Sequence, residues 1–382
     1  MKSIDIINTE INFKEPILAF GAELKNAFCV ADKKRIYRGG ALGNLESLDS
    51  FILYERQIDS LLRKLKLKPR IIAYDLHPEY LSTKYALDFA KRNHIEKEVA
   101  VQHHFAHIVS CMFGNGIKGK VIGVALDGTG FGSDGNIWGG EFLIADLKDF
   151  KRVGHLKYIP MPGGAKAILE PWRMAASWLE NIYHNKALAL NIDFTKRLNK
   201  PKFKIISQML KQNINSPLTS SMGRLFDAVA SLVMGRDKVS FEAQAAIELE
   251  KLAFEGIDSR CSCYGVKVTK GDTFVMDPGC MFREIILDLK RKVSPEKIAY
   301  RFHCTVAKMI KDACLILREK TKVNKVVLSG GVFQNRIISE LTLDLLRKES
   351  FSVFSHNKIP INDAGISVGQ AVIANAKFAQ RG

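Results

Sequence analysis

Short apolar runs alternate along the chain with stretches in which apolar positions recur every three or four residues. The first unit is strand, tight turn and strand over residues 17–30, with the turn at residues 21–26. Helical periodicity covers residues 48–65, a strand covers 70–74, and a second helix covers 82–93. Strands that alternate with helices in this way predict α/β units and a largely buried sheet.

The same arrangement begins again about 105 residues further on. The β-rich run 120–127 leads into a glycine-dense turn at 128–135, and a second strand covers 137–145. Residues 165–255 are predicted to be mostly helical. We interpret the two strand–turn–strand units as a weak internal repeat, of architecture more than of sequence.

The C-terminal part resumes the alternation. Strand 325–328 runs into Ser329-Gly330-Gly331, and helix 337–348, strand 351–354 and a small-residue helix at 364–376 follow. Ligands in α/β folds bind at loops beyond strand ends, so these glycine-rich turns are candidate binding loops.

Composition narrows the class of protein. A chain of 382 residues predicts two domains, with three as an alternative, and 47% hydrophobic with 25% charged residues excludes disordered and collagen-like chains. No apolar run approaches the ~20 residues that span a membrane, and the N-terminus lacks the pattern of a secretory signal. Seven cysteines without a C-x-x-C pair indicate reduced thiols. We therefore expect a cytoplasmic protein.

The charge balance, 57 basic minus 40 acidic residues, is +17. Such a surplus suits an anionic partner, although a solvated lysine-rich surface is the simpler explanation. Residues 196–211 contain six basic residues and no acidic one, within an acid-free stretch from 194 to 226. This stretch is where an anionic partner would bind.

Three histidines lie within five residues, in the predicted helix VQHHFAHIVS. His103 and His107 are four residues apart and share one helix face, so they can present two imidazoles to one metal ion. The alternative is packed or helix-capping histidines. Two histidines need further ligands, and carboxylates are the expected supplement.

Two aspartates lie at the ends of predicted elements, where their carboxylates could bind a ligand. Asp127 ends an apolar strand and begins the glycine-rich turn, where backbone N–H groups can bind a phosphate, although Asp-Gly is also a strong hairpin signal. Asp363 precedes the last helix, either as its N-cap or as a further carboxylate ligand. Asp75-Leu76-His77-Pro78 places a carboxylate and an imidazole in a turn after a strand, for which a structural role is the simpler explanation.

Longer motifs resemble a known family. The segments GAELKNAFCVA, DLHPEYLST, VQHHFAH, ALDGTGFGSDGNIWGGEFL, EPWRMA, SSMGRLFDAVASL, EAQAAIELE and LSGGVFQNR occur in this order. Together they closely resemble the C-terminal carbamoyltransferase domain of the hydrogenase-maturation protein HypF, from about residue 16 to residue 376. More distant relatives of this domain are antibiotic O-carbamoyltransferases and the enzymes that make threonylcarbamoyl-adenosine in tRNA.

The resemblance implies two actin-like, RNase H-like lobes of the ASKHA superfamily, with a nucleotide cleft between them. The lobes would be residues 1–118 and 119–382, with a helical insertion at about 165–300 and the last helix as a candidate to pack back on the first lobe. It also implies a divalent metal, iron or zinc, with these ligands: His103, His107, Asp127 and Asp363. Residues implied for the adenylate pocket are Gly128, Thr129, Gly130, Asp227, Gly330, Gly331 and Asn335. His104, next to the metal, is a candidate proton-transfer group.

The family reaction uses carbamoyl-adenylate and passes the carbamoyl group to the C-terminal cysteine of a partner, HypE, for the cyanide of [NiFe]-hydrogenases. The full family protein is about twice this length and makes carbamoyl-adenylate with a YrdC-like domain that this sequence lacks, along with acylphosphatase-like and zinc-finger regions. The sequence is then either an isolated domain of a longer protein or a naturally split or reduced paralogue, and for the latter a separate YrdC-like protein is the candidate source of the adenylate. Smaller departures are RGGALGNL at residues 38–45, Ala243 in place of a glycine, and Ala364 in place of another.

Two other functions remain open. One is carbamoyl or threonylcarbamoyl transfer to tRNA or to a small-molecule hydroxyl, which the +17 charge favours. The other is a non-catalytic, nucleotide-binding paralogue, against which the four intact metal-site residues argue. Nucleic acid is the less favoured partner, and no membrane association is expected.

Overall fold

The computed structural model describes residues 4–198, 200–258 and 262–379. The strands are β1 (Asp5–Ala19), β2 (Cys29–Arg38), β3 (Ile71–Asp75), β4 (Lys97–Val101), β5 (Val121–Phe131), β6 (Ile137–Ala145), β7 (Phe150–Leu156), β8 (Ile159–Pro160), β9 (Leu218–Thr219), β10 (Lys267–Thr269), β11 (Phe274–Asp277), β12 (Lys325–Ser329) and β13 (Ser352–Phe354). The helices are α1 (Leu48–Leu65), α2 (Leu81–Asn93), α3 (His103–Gly114), α4 (Lys166–Leu169), α5 (Trp172–Tyr183), α6 (Asp193–Arg197), α7 (Lys200–Gln212), α8 (Met222–Met234), α9 (Gln244–Glu255), α10 (Gly279–Lys290), α11 (Pro295–Thr321), α12 (Arg336–Lys348) and α13 (Ile366–Phe378). Short 3₁₀ turns cover His184–Ala189, Gly331–Gln334 and Asp363–Gly365.

The first sheet has four strands in the order β2-β1-β3-β4. β1 pairs with β2 antiparallel and with β3 parallel, and β3 pairs with β4 parallel. One face of this sheet packs on α1 and α2 in an aromatic core that includes Phe20, Tyr54 and Tyr85. The other face packs on α3 and α13.

The second sheet is larger and carries the helical layer. Its main order is β10-β11-β7-β6-β5-β12-β13, with β8 and β9 attached beside β6. The apolar face away from the first sheet packs against helices α5, α8, α9, α11 and α12. The opposite face contributes Val121, Ala125 and Val327 to the same core as α3 and α13, so those two helices lie between the sheets.

Helix α13 crosses α3 closely. A Cβ atom at Gly369 would lie 2.8 Å from the carbonyl carbon of Ala106, so only glycine permits this approach. The Gln370 amide is tied to the first sheet, since Gly21 N–H donates to its oxygen (2.8 Å) and its nitrogen donates to the Gly21 carbonyl (3.1 Å). The last helix is thus packed against β1, β2 and β3 of the first sheet. The lobe boundary at 118/119 falls between α3 and β5 and stays a prediction.

The glycine-dense segment after Asp127 differs from the predicted turn. Strand β5 continues through Gly128, Thr129 and Gly130 to Phe131, with a register shift against β6 between Leu126 and Gly130. The reversal comes later, where Gly132 N–H donates to the carbonyl of Asn136. The absence of side chains at positions 128 and 130 allows the strand to run beneath bulky neighbours, so here glycine serves close packing more than turning.

None of the helices in the described ranges combines the length and apolar character needed to cross a bilayer.

Candidate metal centre and nucleotide cleft

Helix α3 begins at the histidine pair because Gln102 caps it. The Gln102 side-chain oxygen accepts a hydrogen bond from Phe105 N–H at 2.9 Å, which satisfies one of the free amides of the first turn. His103 and His107 then lie one turn apart on the same face. Both are fully buried.

Two carboxylates meet this face from different elements. Asp127 comes from β5 and Asp363 from the 3₁₀ turn that precedes α13. One ligand atom from each of the four residues lies within 4.8 Å of the other three. His107 Nε2 is 3.0 Å from Asp127 Oδ2 and 3.5 Å from Asp363 Oδ1, while His103 Nε2 is 3.7 and 3.9 Å from the same atoms.

Helix α13 has Gly365 at its N-cap, and the 3₁₀ turn before it is capped by Asn362, so Asp363 caps neither. The Asn362 side-chain oxygen accepts from Ala364 N–H at 3.2 Å. The Asp363 carboxylate lies instead beside the two histidines, 3.5 Å from His107 Nε2 and 3.9 Å from His103 Nε2. This position suits a carboxylate ligand, and that role stays a prediction.

The donor set fits a divalent cation. His103 Nε2, His107 Nε2 and Asp127 Oδ2 are buried and have no hydrogen-bond partner outside the cluster, which is costly unless a ligand satisfies them. Two imidazole nitrogens with carboxylate oxygens suit zinc or iron.

Charges within the cluster explain its pKa values. Burial disfavours the charged form of His103, but Asp75 and Asp127 outweigh it and raise the pKa of His103 well above its usual range. Burial likewise opposes ionisation of Asp127, yet the two histidines lower the pKa of that carboxyl well below its usual range. Without a metal, protons balance the carboxylates, and a bound cation would displace them.

The Nδ1 atom of His107, which is turned away from the carboxylates, contacts a chain of hydrogen-bonded groups. Ser329 Oγ lies 3.4 Å from His107 Nδ1 and 2.7 Å from His356 Nε2, and His356 Nδ1 lies 3.0 Å from the Ile359 carbonyl. Burial lowers the pKa of His356 to about 3, so its ring is neutral and donates to Ile359 from Nδ1. The single Ser329 hydroxyl proton is shared between His356 Nε2 and the His107 carbonyl, which is 3.0 Å away. The Ser329 oxygen is then left to accept from His107 Nδ1–H, so His107 Nε2 is free for a metal.

His104 is buried beside the metal cluster in a fixed tautomer. Gln102 Nε2 contacts the Phe131 carbonyl (3.0 Å) and His104 Nδ1 (3.1 Å). The carbonyl accepts only, and the Gln102 oxygen is used by the helix cap, so the amide donates to His104 Nδ1. Burial, with His103 nearby, lowers the pKa of His104 well below its usual range, so the neutral ring carries its proton on Nε2. That atom is buried without a partner.

A cleft opens on the other side of Asp127. It encloses about 820 Å³, including space open to solvent, which is the size of a small-ligand site. Of the residues implied for the adenylate pocket, Gly128, Asp227, Gly331 and Asn335 line it. Asp127 lines it as well, so the metal cluster and the cleft share one residue.

Three residues implied for that pocket lie outside the lining: Thr129, Gly130 and Gly330. Gly130 backs the histidines, since a Cβ there would lie 2.9 Å from His103 Cδ2. Gly330 packs on β5, with a Cβ position 2.8 Å from the carbonyl carbon of Leu126, and its φ of +102° favours glycine. Gly130 and Gly330 therefore allow close packing next to the metal cluster and β5, and they do not line the cleft.

Several charged groups in the cleft were not predicted from the sequence. Arg224 is buried, and its Nε donates to Asp227 Oδ2 at 2.6 Å, while its Nη1 has no partner. Burial raises the pKa of Asp227 to about 6, although Arg224 opposes the shift. Glu242 and Lys25 also line the cleft. Arg224 could have been suspected, because it stands one helical turn before Asp227 in the motif GRLFD.

Comparison with known proteins is consistent with this geometry. Residues 12–114 match the family described as HypF Kae1-like domain, and residues 123–370 match the family described as carbamoyltransferase, Kae1-like domain, second subdomain. The crystal structure of full-length HypF in the phosphate- and nucleotide-bound form superposes with a TM-score of 0.92 at 38% identity, over 99% of this chain and 58% of that one. The crystal structure of T. kodakarensis HypF gives a TM-score of 0.89 at 31% identity, over 98% of this chain and 49% of that one. The predicted two-lobe α/β fold of the HypF carbamoyltransferase domain is confirmed.

Curated relatives agree. Carbamoyltransferase HypF2 of Cupriavidus necator is 34% identical over 94% of this chain and 46% of its own length. A carbamoyltransferase HypF homolog of the same organism is 32% identical over 94% of this chain and 91% of its own length. This chain thus spans about half the length of the full HypF proteins that it matches and nearly all of the shorter homolog. On these matches the chain belongs to the HypF family of carbamoyltransferases, and it spans the Kae1-like domain.

Proposed function

We propose that this chain transfers the carbamoyl group of carbamoyl-adenylate to the C-terminal cysteine thiol of a HypE-type acceptor protein. The product would serve the synthesis of the cyanide ligands of [NiFe]-hydrogenase. The observation that carries the proposal is the position of Asp127, which belongs to both the metal cluster and the nucleotide cleft. An acyl phosphate whose adenosine lay in the cleft would place its reacting end beside that cluster.

The cleft residues would hold the nucleotide in distinct ways. Gly128 and Gly331 present backbone without side chains, so a phosphate or a base can approach closely. Arg224, with a buried Nη1 that has no partner, offers a cation and a donor to a phosphate oxygen. Lys25 adds a second positive charge from the first lobe. Asp227 holds Arg224 in place.

His103, His107, Asp127 and Asp363 would hold the divalent cation. When bound, such a cation supplies positive charge that stabilises developing negative charge on the acyl phosphate oxygens. His104 would donate a hydrogen bond from Nε2 to the carbamoyl oxygen, as a neutral imidazole in a site where Gln102 fixes the tautomer. The proton transfer considered from the sequence stays a prediction, and the hydrogen bond from Nε2 is the role that we propose here.

The transfer balances without a nucleophile from this chain. The acceptor sulfur forms a bond to the carbamoyl carbon, the bond from that carbon to the phosphate oxygen breaks, and AMP leaves with the electron pair. The thiol proton is lost to solvent when the sulfur attacks as thiolate. The carbamoyl-adenylate would come from a YrdC-like activity, on a further part of a longer chain or on a separate protein.

Mass spectrometry of the acceptor tests the proposal. The chain is incubated with supplied carbamoyl-adenylate and a HypE-type acceptor, and a carbamoyl adduct is expected on the terminal cysteine. An acceptor that lacks this cysteine is the matched control, and a competent HypF enzyme runs alongside. Absence of the adduct with this chain, when the competent enzyme forms it, would refute the proposal.

A second candidate function is carbamoyl or threonylcarbamoyl transfer to tRNA. Helix α7 favours it, because its lysines at positions 200, 202 and 204 are exposed. The same adenylate mixture with tRNA in place of the acceptor protein separates the two, since a labelled carbamoyl group would then appear on RNA. A non-catalytic paralogue would label neither acceptor.

A further inference from the structure

Asp75 contacts a metal-site histidine from the first sheet. It is the last residue of β3 and is fully buried. Its Oδ2 lies 2.8 Å from His103 Nδ1, while its Oδ1 accepts a hydrogen bond from His77 N–H at 2.9 Å. Both carboxylate oxygens are therefore in use, and each has a defined direction.

The turn that follows Asp75 is built to hold it there. Leu76 N–H donates to the carbonyl of Val101, just before α3 begins. The His77 ring stacks on Tyr80 with centroids 4.1 Å apart and an interplanar angle of 1°, and its other neighbour is Phe131 at 5.0 Å. The motif Asp-Leu-His-Pro, for which the sequence alone favoured a structural turn, thus holds the end of β3 against the start of α3 through hydrogen bonds to Val101 and His103.

We propose that Asp75 is a positioning residue for the metal centre, which keeps the proton of His103 on Nδ1 and so frees Nε2 as the metal ligand. This inference rests on the metal site of the proposed function, but it does not depend on the identity of the acceptor. Histidine ligands of metals commonly donate their other N–H to a carboxylate, and loss of that partner typically costs 10–100-fold in metal affinity.

The two metal-site histidines are then anchored from opposite sheets. His103 is held by Asp75 at the end of β3 in the first sheet, and His107 is held by Ser329 at the end of β12 in the second. Only the first of these two anchors is a carboxylate. Substitution at Asp75 should therefore affect His103 alone.

Asparagine at position 75 tests the proposal directly, because its NH₂ group donates a hydrogen bond where the aspartate oxygen accepts one. In Asp75→Asn the side-chain oxygen stays on His77 N–H, so the new NH₂ group faces His103 Nδ1. That nitrogen must now accept, the His103 proton moves to Nε2, and the ligand atom is blocked. In Asp75→Ala nothing fixes the tautomer, so affinity should fall less, although more contacts are lost.

The test measures Zn²⁺ affinity by competition with a chromophoric chelator and apo-protein stability by thermal unfolding. We expect affinity to fall in the order wild type, Asp75→Ala, Asp75→Asn, with the asparagine variant at least tenfold below wild type. The thermal stability of the two apo variants should rank the other way, with Asp75→Asn above Asp75→Ala, because asparagine keeps the hydrogen bond from His77 N–H. The control is Glu98→Gln, an exposed carboxylate on the neighbouring strand β4, which should match wild type in both measurements.

A double-mutant cycle shows whether Asp75 acts through His103. Adding Asp75→Asn to His103→Ala should cause no further loss of Zn²⁺ affinity. Equal, additive losses in both backgrounds would overturn the proposal, as would Asp75→Asn binding Zn²⁺ like wild type. Should the variants fail to fold, proton NMR of the wild-type Zn²⁺ form decides, because it must show an exchange-protected Nδ1–H signal from His103. Failure of acceptor carbamoylation with these results intact would count against the proposed function only.

Discussion

Replacing Gly369 with alanine should weaken metal binding, although Gly369 lies in α13 and is not one of the four metal-site residues. Gly369 lies where α13 crosses α3, and the Ala106 backbone that it meets is flanked by His103 and His107 on the same helix. The new methyl group would lie 2.8 Å from the Ala106 carbonyl carbon and 3.1 Å from its Cα. Carbon atoms pack at about 3.5–4.0 Å, so the helices must separate by roughly 0.7 Å or more.

That displacement has two measurable consequences. Overpacking of a buried crossing costs about 1–3 kcal/mol, so thermal unfolding should occur several degrees lower. Metal–ligand distances tolerate changes of only about 0.2 Å, so Zn²⁺ affinity should fall by about tenfold or more. Chelator competition and differential scanning calorimetry measure the two effects on the same preparation.

Ser367→Ala is the matched control in the same helix. Ser367 is fully buried and its hydroxyl has no hydrogen-bond partner, so its removal should leave Zn²⁺ affinity unchanged and stability unchanged or slightly higher. Wild-type affinity and stability in Gly369→Ala would refute the reasoning, because the two helices could not then be in the contact described.

Three further predictions address the separate parts of the site. Combined His103→Ala and His107→Ala should abolish bound metal in elemental analysis, and unchanged metal content would defeat the ligand assignment. Gln102→Glu keeps the helix cap but cannot donate to His104, so the carbamoyl transfer rate in single-turnover assays should fall by about a hundredfold while Zn²⁺ stays bound; an Nε2–H tautomer persisting in ¹⁵N NMR would contradict this. Because the pKa of Asp227 is raised to about 6, the folded protein binds a proton there that the unfolded chain has lost, so this group's contribution to stability is present below about pH 4 and is lost as the pH rises through 6. Unfolding temperatures of Asp227→Asn should show a weaker decline than wild type across that window, and parallel pH profiles would refute the assignment.

Local sequence patterns were enough to place most of the elements. The helix predicted at 48–65 has the same bounds as α1, and the strand predicted at 70–74 is β3, shifted by one residue. Amphipathic periodicity determines such elements, because one face must be buried whatever the partner. The glycine-dense segment after Asp127 was placed wrongly, since the closeness of the His103 ring that makes glycine necessary at position 130 is a tertiary fact.

The candidate site also combines features that the local sequence predicts with features that depend on tertiary contacts. The spacing of His103 and His107 predicts a shared helix face, because both ligands lie on one local element. The convergence of Asp363 with them, and the contact of Asp75 with His103, join residues far apart in the chain, and no local signal specifies either. Arg224 was missed for a different reason, because its spacing to Asp227 indicates a pair on one helix face but does not show that the pair is buried in the cleft.

The place of α13 also bears on the order in which the protein can fold. The core between the sheets combines Phe13 and Ile17 near the start of the chain with Ile373 and Ala374 near its end. Contacts between such distant residues close very long loops, which slows folding and raises contact order. During synthesis the first sheet emerges early with α3, but the part of its apolar face that α13 covers stays exposed until that helix leaves the ribosome. An expressed fragment of residues 1–118 should therefore aggregate, and co-expression of α13 as a separate peptide should rescue it only in part, because association in trans carries an added entropic cost.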